Sequence, residues 1–362
     1  MIIGVFHPVI NWCGGAELVA VNVINALKDN GHQVIVLTDK SLNQEKFRKV
    51  FNEAVSADRE LVFPLAFFSP ANYHNLYTDA IRSLMLKSKC DVLIDTYSGS
   101  VLPGMDVCYI HHPILKKVED LPHHLRNKLY FSPYRSLLNS CKRYMNKLFF
   151  ANSKFTADAV EFEIGLTPHI LYPPVSTDFL NKYETGSYQQ RADNVITVSR
   201  IAKEKNLRII PHIAKLTNNA SFTIVGLLDS IQEFNSLVKL INELGVSDKV
   251  KILTNVNRNH LKEILRSSKV YLHTTVKEHF GISIVEAMAS GCVPIVHNSG
   301  GPKEFVANHH RYETIEEAAQ KIDKAIESWS PEVAFTISKY ARGFSGSNFS
   351  KRFIKIFNSY YN

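Results

Sequence analysis

Cysteine pairs and long apolar runs are missing from this sequence of 362 residues. Its five cysteines are scattered and form no CxxC pair, so neither a disulfide framework nor a zinc knuckle is expected, whereas a reducing compartment is. No stretch approaches the ~20 uninterrupted apolar residues of a membrane-spanning helix, and the opening MIIGVF lacks the features of a signal peptide. We expect a protein that is soluble or that sits on a membrane surface.

Common nucleotide-binding signatures are also missing. The chain has neither GxGxxG nor GxxxxGK[ST] between a predicted strand and a predicted helix. This argues against a standard nicotinamide-dependent enzyme and against a P-loop NTPase.

The charge balance is strongly positive. The chain carries 42 Lys and Arg residues against 34 Asp and Glu residues, a net charge of +8. This excess favours an anionic partner, which leaves open nucleic acid, a phosphate-bearing small molecule and an acidic membrane surface. The hydrophobic fraction of 45% is that of a packed protein, and the length favours two domains.

Short β-branched segments alternate with helical patterns along the whole chain. Strands are predicted at 2–6, 34–38, 91–95, 107–110 and 148–151, and again at 195–199, 221–225, 249–253, 270–274 and 293–297. Strands that alternate with helices form parallel sheets covered on both faces. The predicted fold class is therefore α/β, with two Rossmann-like doubly wound domains that face each other across a cleft and bind ligand at the carboxyl ends of the strands.

The domain boundaries follow from a polar segment with little apolar periodicity near the middle of the chain. We predict an N-terminal domain at 1–172, a linker at 173–193 and a C-terminal domain at 194–342. The last segment, 343–362, is predicted as a helix, with packing against the N-terminal domain as one option.

Two adjacent glycines, Gly14 and Gly15, lie between the first predicted strand and the helix that follows it. Glycines at this position let backbone N–H groups approach a phosphate at the positive end of a helix. The motif is common, so a tight turn without a ligand is an equally open reading.

Two cations, Arg200 and Lys205, follow the first predicted strand of the second half within SRIAKEKN. They would lie near the carboxyl edge of that sheet, where a guanidinium fork and a point charge suit a diphosphate. A solvated basic turn is the alternative.

A third segment, EHFGISIVEAMASG, places Glu278 in a loop and Glu286 on the helix that follows. The backbone N–H groups of Gly281, Ile282 and Ser283 at the start of this helix would face a phosphate. A continuous helix would separate the two carboxylates by about 12 Å, which exceeds the roughly 5 to 9.5 Å of a glycosidase pair. We therefore prefer separate hydroxyl-binding tasks, because carboxylate oxygens accept from vicinal diols.

Together these segments resemble the retaining glycosyltransferases of family 4, which have the GT-B fold. The resemblance rests on the E-x7-E pattern from Glu278 to Glu286, on SRIAKEKN, on the Gly14-Gly15 loop and on His111. Within the family, EHFGISIVEAMASGCVPIVHNSGGPKEFV, YIHHP, FANSKFTA and LYPPV are similar to the branch of α-1,2-mannosyltransferases that extends a dolichol-linked oligosaccharide from GDP-mannose. The resemblance implies a hexosyl transfer from GDP-mannose or a UDP-sugar to a lipid-linked or other glycan acceptor.

The resemblance also implies a role for each residue. Glu278 would hold hydroxyls of the donor sugar and Glu286 those of the ribose, while Arg200 and Lys205 would hold the diphosphate. His111 would lie near the sugar and the acceptor as a catalytic residue.

Two further assignments concern the nucleotide. Val256 would lie near the nucleobase, and Gly15 would belong to a phosphate-facing loop of the first domain. No metal and no cofactor are expected, because the sequence has no D-x-D motif and two cations can stabilise the leaving diphosphate. The implied outcome is retention, by same-face attack in which the departing phosphate accepts the acceptor's proton.

Two other function classes remain open from the sequence. A basic nucleic-acid-binding protein would explain the charge, although no recognised nucleic-acid module is present. An epimerase or phosphorylase of the same fold would turn over the donor without an acceptor.

The segment 114–150 holds eight basic and two acidic residues, so most of the net charge lies there. Aromatic and leucine residues are interleaved with these cations, as in helices that lie in the headgroup plane of anionic bilayers. We expect a cytoplasmic protein that is peripheral on the membrane; an amphipathic helix packed on the first sheet is the alternative. The basic residues are Lys116, Lys117, Arg126, Lys128, Arg135, Lys142, Arg143 and Lys147.

Overall fold

A computed structural model describes residues 1–63, 76–113, 131–134, 136, 147–176, 179 and 191–361. Contacts divide the chain into two compact units. The first unit contains Met1–Pro174 and Gly346–Asn362, and the second contains Val175–Ser345. The last segment of the chain thus belongs with the N-terminal unit.

The first unit is built on a parallel sheet of seven strands. The strands are β1 (Ile2–Phe6), β2 (Gln33–Thr38), β3 (Arg59–Val62), β4 (Val92–Asp95), β5 (Val107–Ile110), β6 (Leu148–Ala151) and β7 (His169–Ile170), in the order β3-β2-β1-β4-β5-β6-β7. The helices described are α1 (Gly15–Asp29), α2 (Gln44–Phe51), α3 (Leu76–Lys87), α4 (Lys154–Ile164) and, from the end of the chain, α11 (Gly346–Tyr361). The chain order reverses between β1 and β4, which makes this the switch point where doubly wound sheets bind ligands.

Both faces of this sheet are apolar, as the alternation along β1 and β2 requires. Val34 and Val36 point into one buried cluster, whereas Ile35 and Leu37 point into the other. The first cluster also contains Phe349, Phe353 and Phe357, which recur every four residues on one face of α11. Helix α11 packs against α1 through this stripe.

The second unit repeats the architecture with six parallel strands. They are β8 (Ala192–Val198), β9 (Ser221–Gly226), β10 (Val250–Thr254), β11 (Ser268–His273), β12 (Val293–His297) and β13 (Arg311–Tyr312), in the order β10-β9-β8-β11-β12-β13. The helices are α5 (Ile209–Leu216), α6 (Ile231–Glu243), α7 (Arg258–Ser267), α8 (Ile282–Ala289), α9 (Ile315–Glu327) and α10 (Pro331–Ala341). The switch point of this sheet lies between β8 and β11.

Two doubly wound α/β units confirm the predicted fold class. All ten predicted strands are present with ends shifted by three residues at most, and β3, β7 and β13 were not predicted. No helix of the described ranges is long and apolar enough to cross a membrane. The predicted linker lies outside the described residues at 177–178 and 180–190, as does most of the basic segment 114–150.

Candidate functional site

The switch point of the second sheet holds a cluster of charged side chains. Lys205 lies in the loop after β8, His273 ends β11, and Glu278 lies in the loop that follows β11. Lys205 Nζ is 3.0 Å from Glu278 Oε2, and His273 Nε2 is 3.3 Å from the same oxygen. The side chains of Lys205 and Glu278 are only 20% and 18% exposed, so the pair is largely withdrawn from water.

The cluster keeps Glu278 ionised. Burial on its own would raise the pKa of this carboxyl, but the neighbouring His273 and Lys205 outweigh burial and hold the pKa well below its ordinary value. The carboxylate also accepts a hydrogen bond from the backbone N–H of His279 at 3.1 Å. The site therefore presents a fixed negative charge beside a fixed positive one.

A second loop holds the backbone of Glu278 in place. The N–H of Gly301 donates to the carbonyl of Glu278 at 2.8 Å, and the N–H of Lys277 donates to Ser299 Oγ at 2.7 Å. A Cβ on Gly300 would lie 2.2 Å from the carbonyl oxygen of Glu278, and Gly300 has a φ of +74°. Only glycine fits this position, because both its conformation and the close approach exclude a side chain.

Arg200 lies at the same edge but pairs with other residues. Its guanidinium donates to Asp229 and, at 2.9 Å, to Glu204, and its side chain is 51% exposed. Gly226 ends β9 directly beneath this loop, where a Cβ would lie 2.3 Å from the carbonyl oxygen of Ser199. The segment SRIAKEKN contains a single 3-10 turn at Lys203–Lys205, and regular helix begins only at Ile209.

Helix α8 brings the second carboxylate to this edge. Gly281 is its N-cap with a φ of +87°, Ile282 and Ser283 form its first turn, and Glu286 lies one turn further on. Burial raises the pKa of Glu286 to about 7, although the positive charge of Arg258 opposes the rise. Glu286 is thus close to half protonated at neutral pH.

Tyr271, which no motif in the sequence singled out, lies in the electrostatic field of both carboxylates. Its hydroxyl donates to Ser283 Oγ at 2.8 Å. Burial raises the pKa of Tyr271, and the nearby charges of Glu286 and Glu278 raise it further. Both carboxylates therefore lie within electrostatic reach of one phenol, whose place on β11 fits the alternating pattern of an ordinary core strand.

The proposed nucleobase residue lies on a neighbouring loop of the same unit. Val256 follows β10, is partly exposed, and precedes Asn257, the N-cap of α7. The first residue of α7, Arg258, stacks over the ring of Phe179 at 4.6 Å. Of the predicted residues in this unit, Lys205 and Glu278 contact each other directly, and the others lie on adjoining loops and on helix α8.

In the first unit, two histidines at the carboxyl ends of strands share one threonine. His111 Nε2 lies 3.1 Å from the carbonyl oxygen of Thr96, and His7 Nδ1 lies 2.9 Å from the hydroxyl of the same residue. A carbonyl only accepts, so His111 Nε2 carries a hydrogen. Burial, together with the charge of His7, lowers the pKa of His111 to about 4, so Nδ1 is left as an acceptor at neutral pH.

The backbone of the glycine loop is bound by a carboxylate, that of Glu17, which was not among the predicted site residues. Glu17 Oε2 accepts from the N–H of Gly14 at 2.7 Å, and Glu17 Oε1 lies 3.5 Å from His7 Nε2. Gly14 is the N-cap of α1 and Gly15 its first residue, so Glu17, at the third helical position, supplies the carboxylate half of a capping box. This engages a backbone donor that we expected to face a phosphate. The Gly-x-x-Glu spacing is the signal that could have revealed it.

Comparisons with known proteins match both units. The family described as "Glycosyltransferase Family 4" matches residues 13–179, and the one described as "Glycosyl transferases group 1" matches residues 187–344.

Curated relatives carry one recurring name. The chain is 26% identical to a Dictyostelium discoideum protein named GDP-Man:Man(3)GlcNAc(2)-PP-Dol alpha-1,2-mannosyltransferase, over 98% of this chain and 83% of the relative. It is also 26% identical to the Xenopus laevis protein of that name, over 98% of this chain and 86% of the relative.

Solved structures show the same fold. Anabaena HepE in complex with UDP and glucose superposes with a TM-score of 0.74 at 17% identity, over 99% of this chain and 100% of HepE. A glycosyltransferase from Rickettsia africae superposes with a TM-score of 0.72 at 16% identity, over 100% of this chain and 98% of the other. Both structural similarities show the fold alone.

Proposed function

Because this chain belongs to the family 4 glycosyltransferases and has the GT-B fold class, we propose that it transfers mannose from GDP-mannose to a lipid-linked glycan, with retention at the sugar carbon. The observation that carries the proposal is the pair Lys205–Glu278 at the switch point of the second sheet. A nucleotide sugar offers hydroxyls to a carboxylate and a diphosphate to an ammonium group. The relatives named for GDP-mannose and a dolichol-linked acceptor supply the identity of both substrates.

In this proposal, each predicted site residue of the second unit binds one part of the donor. Glu278 accepts hydrogen bonds from sugar hydroxyls, because its neighbours keep it ionised. Lys205 lies beside it and binds the diphosphate, and Arg200 exchanges exposed carboxylate partners for phosphate oxygens. Glu286 binds the ribose hydroxyls, Val256 lies against the base, and the start of α8 faces the phosphate.

The chemical step depends on negative charge that grows on the leaving diphosphate. Fixed cations and helix N-terminal N–H groups stabilise this charge more in the transition state than in the ground state. In the proposed same-face reaction, the bond from the anomeric carbon to the diphosphate breaks while the acceptor oxygen bonds to the same face. The departing phosphate takes the acceptor's proton. We propose no metal ion and no cofactor for this step.

His111 would serve the acceptor side of the reaction. Its Nε2–H is committed to the carbonyl of Thr96, and its lowered pKa leaves Nδ1 unprotonated. The imidazole can therefore accept a hydrogen bond from a sugar hydroxyl, and it is not a general acid at neutral pH.

A thermal-shift panel of nucleotide sugars tests the donor assignment. A ligand at 100 times its dissociation constant adds about 2.7 kcal/mol of stability. GDP-mannose should raise the melting temperature more than UDP-glucose, UDP-galactose or ADP-glucose does. A larger shift with a UDP-sugar would contradict the proposed donor while leaving the enzyme class intact.

We also propose that the protein works at the cytoplasmic face of a membrane, where a lipid-linked acceptor must be met. The basic segment 114–150 supports this, since each cation near an anionic bilayer contributes about 1 kcal/mol of attraction. Sedimentation with anionic liposomes at low salt is the test. Changing Arg126, Lys128, Arg135 and Lys142 together to Glu should abolish it without altering nucleotide affinity, and equal sedimentation would contradict the proposal.

A further inference from the structure

One large aromatic side chain is exposed to solvent at the switch point of the first sheet. Trp12 lies in the loop between β1 and α1 and is 54% exposed, whereas the other tryptophan, Trp329, is 9% exposed. An indole left in water forgoes the stability that its burial would bring. The folding of this unit therefore gives no reason for its position.

The loop that carries Trp12 is firmly held. Val9 and Ile10 are buried, and the N–H of Trp12 donates to the carbonyl of Val9 at 2.9 Å. These contacts close a 3-10 turn at Ile10–Trp12. The indole is thus fixed at its backbone while its ring remains in solvent.

Asn11 fastens the same loop to the loop after β2. Its side-chain amide donates to the carbonyls of Lys40 and Ser41 at 3.2 and 3.0 Å, and its side-chain oxygen accepts from the N–H of Asn43 at 2.9 Å. Lys46 Nζ donates to the backbone carbonyl of Asn11 at 2.7 Å. Two loops at the ligand-binding edge of the sheet therefore hold the residue next to Trp12.

We propose that Trp12 is a stacking platform for one sugar ring of the acceptor glycan, an inference that rests on the proposed glycosyl transfer. A pyranose ring has an apolar face of C–H groups, and a flat indole on an ordered backbone matches that face while the sugar hydroxyls stay solvated. Among the described residues of this loop, Val9 and Ile10 before Trp12 are buried, and Gly14 and Gly15 after it are exposed but have no side chain. The indole is therefore the one large apolar side chain that this loop exposes, whereas insertion into a bilayer requires a wider apolar surface.

Among the described residues of this unit, another strongly exposed aromatic side chain lies away from the switch point. Phe162 is 91% exposed, but it lies near the end of α4, a helix that starts after β6 and runs back toward the amino ends of the strands. It therefore offers a matched control, because it is an exposed aromatic side chain away from the ligand-binding edge.

Intrinsic fluorescence tests the platform directly, because the chain has only two tryptophans. Iodide should quench the exposed Trp12 and hardly reach Trp329. A soluble α-linked mannotriose at millimolar concentration should protect Trp12 from iodide, and GDP-mannose alone should not. The variant Trp12→Phe should lose the iodide-quenchable emission, which identifies that signal as the emission of Trp12, and Phe162→Ala should retain both the quenching and the protection by mannotriose.

Kinetics give the second readout. Trp12→Ala should raise the acceptor KM by roughly tenfold or more, Trp12→Phe should recover part of that loss, and neither should change the thermal shift produced by GDP-mannose.

An unchanged acceptor KM in Trp12→Ala would overturn the proposal, as would a failure of mannotriose to protect Trp12. Protection by anionic vesicles in place of mannotriose would assign Trp12 to a membrane contact and would also overturn it. A preference for another donor would refute the proposed donor alone and leave the result for Trp12 standing.

Discussion

Replacing Lys205 with Ala separates the catalytic role of this residue from its structural one. The change leaves the Glu278 carboxylate, 18% exposed, with the His273 ring at 3.3 Å as a remaining close partner. Removing one member of a buried ion pair costs about 3 to 5 kcal/mol, and the residual exposure together with His273 reduces this to about 2 to 3 kcal/mol. For a unit of this size we expect a melting temperature about 4 to 10 °C lower.

The effect on transfer should be larger and of different origin. Loss of a charge-assisted contact to the leaving diphosphate should slow transfer by two or more orders of magnitude, or about 3 kcal/mol. Initial rates of transfer and differential scanning fluorimetry measure the two effects on the same preparations. Lys203→Ala is the matched control, since Lys203 is an exposed lysine of the same turn and its loss should change neither.

The double variant Lys205→Ala with Glu278→Gln tests the structural role of Lys205. Removing the orphaned charge should restore part of the lost stability, but it should not restore transfer. If transfer returned together with stability, Lys205 would only neutralise Glu278 and the assignment to the diphosphate would be refuted. A loss of less than about tenfold in Lys205→Ala would refute it as well.

Glu278→Gln should slow transfer while GDP still binds, whereas Glu286→Gln should weaken the binding of GDP. Equal losses of GDP affinity in the two variants, measured by calorimetry, would contradict the assignment of Glu278 to the sugar and Glu286 to the ribose. Since Glu286 has a pKa of about 7 and its ionised form accepts from the ribose hydroxyls, GDP affinity should rise from pH 6 to pH 8 in the wild type and stay flat in Glu286→Gln. A flat wild-type profile would contradict the role of this carboxyl. Gly300→Ala should lower both stability and the rate of transfer, because the added Cβ meets the backbone of Glu278. Gly245 is the control: it has a φ of +68° with open space around it, so Gly245→Ala should cost only about 1 kcal/mol of stability. Equal losses in the two variants would show that the backbone conformation alone, and not the contact with Glu278, accounts for the effect. Transfer should persist in excess EDTA, and rescue of a chelated enzyme by manganese would overturn the metal-independent step.

The strands of the fold could be predicted where they are apolar and central. All ten predicted strands are rich in β-branched or aromatic residues, and nine of them lie in the interior of a sheet, whereas β10 is an edge strand. The strand Arg59–Val62 reads RELV and lies at a sheet edge with mostly exposed side chains, so neither hydrophobicity nor alternation marks it. His169–Ile170 and Arg311–Tyr312 are two residues long and carry no periodicity at all.

The candidate site could be predicted as a set of residues but not as a set of contacts. Arg200, Lys205, Glu278 and Glu286 all lie on loops or a helix at the edge that strand order predicts. Their partners are distant in sequence: Glu278 meets a lysine 73 residues away. Such pairings depend on which strands are neighbours in the sheet, and the local patterns of a single sequence do not reveal strand neighbours. The hydrogen bond from the Gly14 N–H to the Glu17 carboxylate joins residues three apart in sequence, so the capping pattern could have predicted it.

Transfer from labelled GDP-mannose to a lipid-linked oligosaccharide tests the central claim most directly. The purified protein should incorporate mannose into a dolichol-linked Man3GlcNAc2 acceptor, and digestion with an α-mannosidase should release the label because the configuration is retained. Lys205→Ala should reduce this incorporation by at least two orders of magnitude. An absence of transfer from GDP-mannose to any lipid-linked glycan, or a product with the inverted β configuration, would contradict the account.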